Sequence, residues 1–408
     1  MWIIVRVLIG VVVLILLEYY FTRKVNRVFK TLFAGFPIKN KKLIIYAFLL
    51  LLNLYPAILI FNAVYAAVTK QSVSFPENIF ADYLLLYPFW TLIILILQVS
   101  VLFIFVDFPL TIAGWINKNI SEKLNRVKVK IFLLLVVCFV IYVPARIIYD
   151  YNTVDVRTVE YKKNNLPKEL NGFKIAFISD VQADRYTDEK RLNRYVEKIN
   201  EQNPDLVLIA GDVITSTPNY IETAARYIGK IKSKYGSFSC VGDHDNWAYR
   251  KDYVRSLREV ETALNNYNVE MLDNELRYLE INSTRIGITF ITNTYVSDIS
   301  ETTLKNLSSS NKADFKIFLT HQPREFLINS AAKNNYDLFL AGHTHGGQIT
   351  FLFPFIQLTP TLVETKHIKG DFYFNNMLAV VCGGLGMSLA PVRYNSTPEI
   401  VIITLKEK

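Results

Sequence analysis

Hydrophobic and polar positions follow two different patterns along these 408 residues. In the first part, four long apolar runs at residues 2–21, 43–68, 84–106 and 131–149 stand between basic, polar stretches. The first run carries only Arg6 and Glu18 as charges, and twenty residues at about 1.5 Å each cover the roughly 30 Å of a hydrocarbon core. Each run predicts a transmembrane helix. Asn53 and Pro56 fall inside the second, where a freed carbonyl can be satisfied by a neighbouring helix or water. A cleaved signal peptide is the alternative for the first run, but its basic cluster follows the apolar residues and no small-residue cleavage site comes after it.

From Asp150 onward the runs shorten and alternate with amphipathic segments. Strands are predicted at 173–179, 205–210, 238–241, 286–291, 316–320, 337–341, 378–382 and 400–405. Helices are predicted at 188–201, 221–233, 252–265 and 324–333, most with apolar residues near 3.6 spacing. Strand, loop, helix and strand repeating at this interval imply an α/β domain over 150–408, preceded by an all-α membrane domain over 1–149.

Charge separates the same two regions. Residues 1–150 hold 15 Lys/Arg against 6 Asp/Glu, whereas the remaining 258 hold 30 of each, so the net charge of +9 belongs to the apolar part. A basic excess that only flanks apolar runs argues against nucleic-acid binding. The cations alternate between loops: seven in the first (Arg23, Lys24, Arg27, Lys30, Lys39, Lys41, Lys42), Lys70 alone in the second beside Glu77 and Asp82, and five in the third (Lys118, Lys123, Arg126, Lys128, Lys130). Cytoplasmic loops collect Lys and Arg, so four spans place both termini and the α/β domain on the outer side. Three spans, with one weaker segment re-entrant, would return that domain to the cytoplasm. The polar residues within the spans, Asn53, Asn62 and Gln98, are expected to join helices. Three cysteines give no disulfide framework; only Cys240 and Cys382 could pair.

Chemistry gathers at the ends of the predicted strands. Four of the five histidines, His244, His321, His343 and His345, lie in short Gly/Asp/His segments that each follow an apolar run, while His367 is expected to be an ordinary satisfied residue. The segments are Ser179-Asp180-Val181-Gln182, Gly211-Asp212, Gly242-Asp243-His244-Asp245, His321-Gln322-Pro323 and Gly342-His343-Thr344-His345. In open α/β sheets, ligands bind beyond the carboxyl ends of the strands, so these loops should meet at one edge. Imidazoles mixed with carboxylates suit Mn, Fe or Zn better than Ca or Mg. Their number exceeds the needs of one ion and suggests two that share a carboxylate.

These segments resemble the calcineurin-like metallophosphoesterase signature D-x-H, G-D, G-N-H-D, H and G-H-x-H. The resemblance covers about residues 154–408. Its tail, Gly384-Leu385-Gly386-Met387-Ser388-Leu389-Ala390-Pro391-Val392-Arg393, looks like the subgroup with N-terminal membrane segments. It implies two packed mixed sheets flanked by helices, and a site for two divalent metal ions. Asp180, position 182, Asp212 and His345 would hold the first ion; Asp212 would bridge to a second held by position 243, His321 and His343. His244, beside Asp245, would donate a proton to the leaving group or stabilise the transition state, with Asp245 orienting its ring. The chain departs from the signature twice. Gln182 stands where His is usual and Asp243 where Asn is usual, which makes the site richer in oxygen and puts Mn ahead of Mg, Fe or Zn.

The expected activity is hydrolysis of a phosphoester or phosphoanhydride on a phosphorylated substrate, a lipid-linked one being attractive for a membrane-embedded enzyme. Two other classes compete with it. One is a catalytically impaired metal-binding relative acting as a sensor or scaffold, motivated by Gln182 and Asp243. The other is a transporter or assembly protein with an appended domain, for which only the spans argue.

Overall fold

The computed structural model describes residues 2–35, 37–69, 78–353 and 356–408. The chain divides into two compact units, Met1–Ile148 with Phe351–Ile356, and Tyr149–Thr350 with Gln357–Lys408.

The first unit is helical: α1 (Trp2–Leu32), α2 (Ile38–Thr69), α3 (Ile79–Ala81) running through a π-helical stretch at Asp82–Leu86 into α4 (Tyr87–Ile116), and α5 (Lys118–Asn152). Three stretches among the described residues, Lys39–Asn62, Ile79–Ile116 and Lys118–Asn152, are long and apolar enough to cross a membrane. The expected span at 2–21 is the first part of α1, whose side chains are described only from Val11 onward. Helices outrun the apolar runs. Arg23, Lys24, Arg27 and Lys30 continue α1, and the cations from Lys118 to Lys130 open α5, because Lys and Arg are good helix formers and no Gly or Pro interrupts them. Chain reversal after α1 falls instead near Gly35 and Pro37, and a single residue, Asn117, joins α4 to α5. The second loop's Lys70 and Glu77 lie outside the described residues.

Buried Phe21, Phe103 and Phe132 meet edge to face, with Phe132 at 5.4 Å and 5.1 Å from the other two, and tie α1, α4 and α5 together. Asn53 joins helices as expected, donating to Glu18 at 2.8 Å. The amide of Gln98 pairs in both directions with the backbone of Leu352, at 2.7 Å each way.

The second unit contains two six-stranded mixed sheets. The first has the order β1 (Asp155–Lys163), β14 (Glu399–Glu407), β2 (Lys174–Ile178), β3 (Leu206–Ile209), β4 (Ser237–Cys240) and β5 (Val269–Leu272). The second runs β12 (Gly370–Phe374), β13 (Met377–Val381), β9 (Leu338–Ala341), β8 (Phe315–Thr320), β7 (Thr284–Ile291) and β6 (Glu275–Ile281). Separate from these sheets is a two-stranded ribbon of β10 (Phe351–Phe353), which belongs to the first unit, and β11 (Ile356–Leu358).

Period-2 side-chain alternation explains the layers. Ile175 and Phe177 of β2, Leu206 and Leu208 of β3, Ile317 and Leu319 of β8, and Leu338 and Leu340 of β9 point into one core between the sheets. The intervening Ala176, Ile178, Val207 and Ile209 face a second core, against α6 (Glu189–Asn200), α7 (Ile221–Ile228) and α8 (Tyr253–Asn266). Phe318, Phe339 and Ala341 face a third, against α9 (Glu301–Ser310) and α10 (Glu325–Lys333). Central strands buried on both faces read as unbroken apolar runs, which is why the sequence located them. The edge strands β1, β6 and β12 expose one face and carry charges, so their pattern falls below an apolar threshold. Cys240 and Cys382 are buried free thiols.

Candidate metal centre

Adjacent parallel strands deliver the five segments. β2, β3 and β4 are parallel neighbours in one sheet and β8 and β9 in the other, so the loops that leave their carboxyl ends converge. The turns are sharp. Asp180, Gln182, Asp212, His343, His345 and Gln348 all adopt positive φ, between 46° and 70°. Apart from Leu389, every other described non-glycine residue with positive φ is an asparagine. Left-handed backbone at residues other than Gly and Asn is strained, and here it turns polar side chains back over the strand ends.

Two groups result. Ligand atoms of Asp243, His321 and His343 lie within 4.8 Å of one another, and so do those of Asp180, Asp212 and His321. His321 links them: its Nε2 stands 3.3 Å from Asp212 Oδ2 and 3.3 Å from Asp243 Oδ2. His343 Nδ1 is 2.9 Å from Asp243 Oδ2 and 3.3 Å from His321 Nε2. His345 Nε2 reaches Asp180 Oδ1 at 3.4 Å. Asp212 also accepts from the backbone N–H of His244 at 2.7 Å, through Oδ1.

Two oxygens of the cluster are open to a cation, and the others are already held. His321 Nδ1 pairs with the carbonyl of Ala210 at 2.7 Å, which places a ring proton there and turns Nε2 toward Asp212 and Asp243. Asp180 Oδ1 and Gln182 Oε1 are buried with no hydrogen-bond donor. A buried carboxylate oxygen without a donor is unfavourable unless a cation meets it, so this set fits divalent metal. Two of the imidazoles are held toward the protonated form by the carboxylates around them. Burial opposes charge on His321, yet Asp212 and Asp243 override it and hold the imidazole well above its usual range. Burial is likewise overcome at His343 by its bonds to Asp243 and Glu364, which hold it up at about 9. At His345, burial and then the Arg393 charge keep the ring well below the usual value, in the neutral form that ligates.

Both departures from the signature are inside this cluster. Gln182 is buried and donates its amide to Asp212 Oδ2 at 2.8 Å. Asp243 is pinned through Oδ1 by the Tyr295 backbone N–H at 2.7 Å, and Gln322 Nε2 donates to both its oxygens, at 2.9 Å and 2.8 Å.

His244 borders the cluster. Its Nδ1 bonds the carbonyl of Thr215, and its Nε2 is 3.1 Å from Ser388 Oγ. The orienting contact expected from Asp245 is thus made by Thr215. Asp245 instead accepts three backbone N–H groups, from Gly242 at 2.8 Å, Asp212 at 3.0 Å and Val213 at 2.8 Å, and so fixes the loops that carry the ligands. Its neighbours are tightly drawn: Gly211 and Gly242 approach so closely that a Cβ on the first would lie 2.4 Å from the second's nitrogen.

Other residues of the site lie outside the Gly/Asp/His segments. Glu364 accepts from His343 Nε2 at 3.0 Å and from Tyr295 OH at 2.6 Å. Buried Arg393 donates to the carbonyls of Gly386, His345, Gly383 and Ser396, clamping the tail against the His345 loop. His367 lies apart from the metal groups. It is buried, edge-on to Phe372 at 4.7 Å, and neither ring nitrogen has a hydrogen-bond partner, so it packs as an aromatic ring and is not the satisfied residue expected.

Known proteins are similar to this chain in sequence. The profile of the calcineurin-like phosphoesterases matches residues 173–347. An uncharacterized metallophosphoesterase of Campylobacter jejuni is 30% identical over 308 residues, covering 74% of this chain and 76% of that one. An uncharacterized metallophosphoesterase of Bacillus subtilis is 29% identical over 62% of this chain and 86% of its own length. A Danio rerio protein described as a transmembrane protein with metallophosphoesterase domain is 27% identical over 61% of this chain and 56% of its own. With two mixed sheets, converging His and Asp loops and this degree of identity, the chain belongs to the calcineurin-like metallophosphoesterases, a family of metal-dependent phosphoester hydrolases.

Proposed function

We propose that the protein is a membrane-anchored phosphohydrolase with two divalent ions, Mn foremost, that cleaves a phosphoester or phosphoanhydride of a lipid-linked substrate. Asp180, Gln182, Asp212 and His345 would hold the first ion, and Asp212, Asp243, His321 and His343 the second. Bound ions of this kind supply Lewis acidity and a hydroxide near neutral pH. The chain's own groups do the rest. His244, steadied through Nδ1 by the Thr215 carbonyl, presents Nε2 as the proton donor to the departing oxygen. Asp245 keeps the ligand loops in register through its three backbone bonds. The apolar helices hold the enzyme where a lipid-linked substrate is concentrated, and the distribution of Lys and Arg favours an outward-facing catalytic unit.

One observation carries the reading: the two overlapping His/carboxylate groups, with Asp180 Oδ1 and Gln182 Oε1 buried and lacking donors. The test is hydrolysis by purified full-length protein of a monoester, a diester and a lipid pyrophosphate, each with Mn, Mg and Zn. Metal-dependent turnover, highest on the lipid, is expected; none on any substrate would overturn the reading. A reporter fused after Lys408 that works only in the cytoplasm would overturn the orientation alone.

Non-catalytic metal binding is the second reading. What favours it is the Gln182 amide on Asp212, which occupies an oxygen that the expected bridging role needs.

A further inference from the structure

The helical unit contains a polar cavity of about 350 Å³ that the catalytic reading does not use. Four cations line it, Arg23, Lys24, Arg27 and Lys128, against a single carboxylate, Asp107. Lys24 and Lys128 are 8% and 5% exposed. Both ammonium groups turn to Asp107, Lys24 by a direct hydrogen bond and Lys128 at 3.4 Å, and Lys128 also donates to Thr111 at 2.9 Å. Tyr20 OH donates to the same carboxylate at 3.1 Å. One anion therefore serves two buried ammonium groups, while among the described residues Arg23 and Arg27 have no carboxylate partner.

Ammonium groups removed from water need compensating anions, and the two buried lysines share one carboxylate, while Arg27 is half-buried and Arg23 exposed, so both guanidinium groups are within reach of a ligand from outside. The position says what could supply it. α1 is apolar as far as Phe21 and basic from Arg23, and α5 is basic up to Lys130 and apolar from Ile131. The cavity thus sits where both helices pass from apolar to basic sequence, the level of a lipid headgroup. Trp115, 75% exposed, lines it as well, and tryptophan is the side chain typical of that level.

We infer that this cavity is a binding site for a phosphate-bearing anion, separate from the metal centre. A phosphate offers several strong acceptor oxygens to the guanidinium forks of Arg23 and Arg27, and the two lysines stabilise its charge. The same chemistry is found in an anionic phospholipid headgroup and in free phosphate.

The test uses full-length protein in nanodiscs of phosphatidylcholine with or without phosphatidylglycerol, and in phosphatidylcholine with added inorganic phosphate. Lipid retention by native mass spectrometry and the melting temperature are the readouts. R23Q/R27Q is compared with wild type and with K30Q as control. Wild type should retain phosphatidylglycerol over phosphatidylcholine, and the double variant should lose about thirtyfold of that preference, as expected for two interfacial cations at about 1 kcal/mol each. Its metal-dependent hydrolysis of a soluble ester should be unchanged, which also shows that it folds. If inorganic phosphate instead raises the wild-type melting temperature and not the variant's, with no preference for phosphatidylglycerol, the occupant is free phosphate and the site stands. Equal retention and equal phosphate response in wild type and R23Q/R27Q would overturn the proposal.

Discussion

Gln182 holds Asp212: the side-chain amide of the first donates to Oδ2 of the second at 2.8 Å, and both side chains are buried. Because Asp212 Oδ2 is also 3.3 Å from His321 Nε2, this one bond places a neutral amide at the junction of the two groups of ligands. The other oxygen of Asp212 is taken by the His244 backbone N–H, so the carboxylate is fixed from both ends before any cation arrives. The aim of the carboxylate is thereby set, but Oδ2 must give up the amide before it can take part in a bridge.

Asp212→Asn should therefore weaken both ion sites together. Elemental analysis should show bound Mn falling from two equivalents toward none, and turnover should drop by at least about 100-fold, roughly 2.7 kcal/mol in barrier. Two equivalents retained by the variant would remove Asp212 from the bridging position.

Asp243 brings a full negative charge where the signature has a neutral amide, and Tyr295 and Gln322 hold it by hydrogen bonds. Asp243→Asn keeps the acceptor for Tyr295 but removes the charge. The ratio of activity with Mn or Mg to that with Zn should then fall, since harder ions favour anionic oxygen. An unchanged activation profile across the three ions would count against the role of that charge.

The parts of the fold that the sequence disclosed are those where one physical constraint dominates. β2, β3, β8 and β9 are buried on both faces along most of their length, so nearly every position is apolar and the strands stand out. β1 and β12 lie at sheet edges with alternating exposure, and α9, Glu301–Ser310, is short and rich in Ser and Thr, so neither periodicity nor hydrophobicity marks them. The site divides in the same way. Asp180, Asp212, His321, His343 and His345 lie one to four residues past the ends of apolar strands, where the pattern of the sequence directs attention. Glu364 was not, because it reaches His343 from a loop beyond the β10–β11 ribbon, and no local pattern records a contact made across 21 residues. Arg393 lay in plain view within the tail, but its buried bonds to four carbonyls are a property of tertiary packing.

Glu364 supports a ligand from outside. Its bond to His343 Nε2 leaves Nδ1 directed at Asp243 and strengthens that nitrogen as a donor. Glu364→Gln should lower Mn affinity by about 10–100-fold in a calorimetric titration, with the melting temperature of the metal-free protein changed little. Affinity equal to wild type would show that Asp243 alone orients the ring.

Gly386 supplies a separate test of the tail. A Cβ there would lie 2.4 Å from both Gln182 Cβ and the Val181 carbonyl oxygen, so even a methyl group forces the first metal loop to move. Gly386→Ala should destabilise the protein by about 1–3 kcal/mol through overpacking. Thermal denaturation should show a lowered midpoint, while Gly35→Ala, where nothing lies within 4 Å of the new carbon, should not. Equal midpoints for the two variants would mean that the tail does not buttress the loop.

The remaining prediction returns to Gln182. Its carbonyl oxygen is buried without a donor while its nitrogen is spent on Asp212, so as a ligand it offers one neutral oxygen in place of the imidazole usual in the family. Gln182→His should strengthen Mn binding at the first ion, because imidazole is the better donor to a transition metal. It also removes the amide from Asp212 Oδ2 and frees that oxygen for the bridge. Turnover need not follow affinity, since activity depends on how nucleophilic the metal-bound hydroxide remains and on the spacing of the ions. The expected outcome is tighter Mn binding by calorimetry with activity changed by less than about tenfold, about 1.4 kcal/mol in barrier. If wild type is inert with every metal and Gln182→His gains phosphatase activity, the native protein is a metal-binding relative whose catalysis has lapsed at this one position.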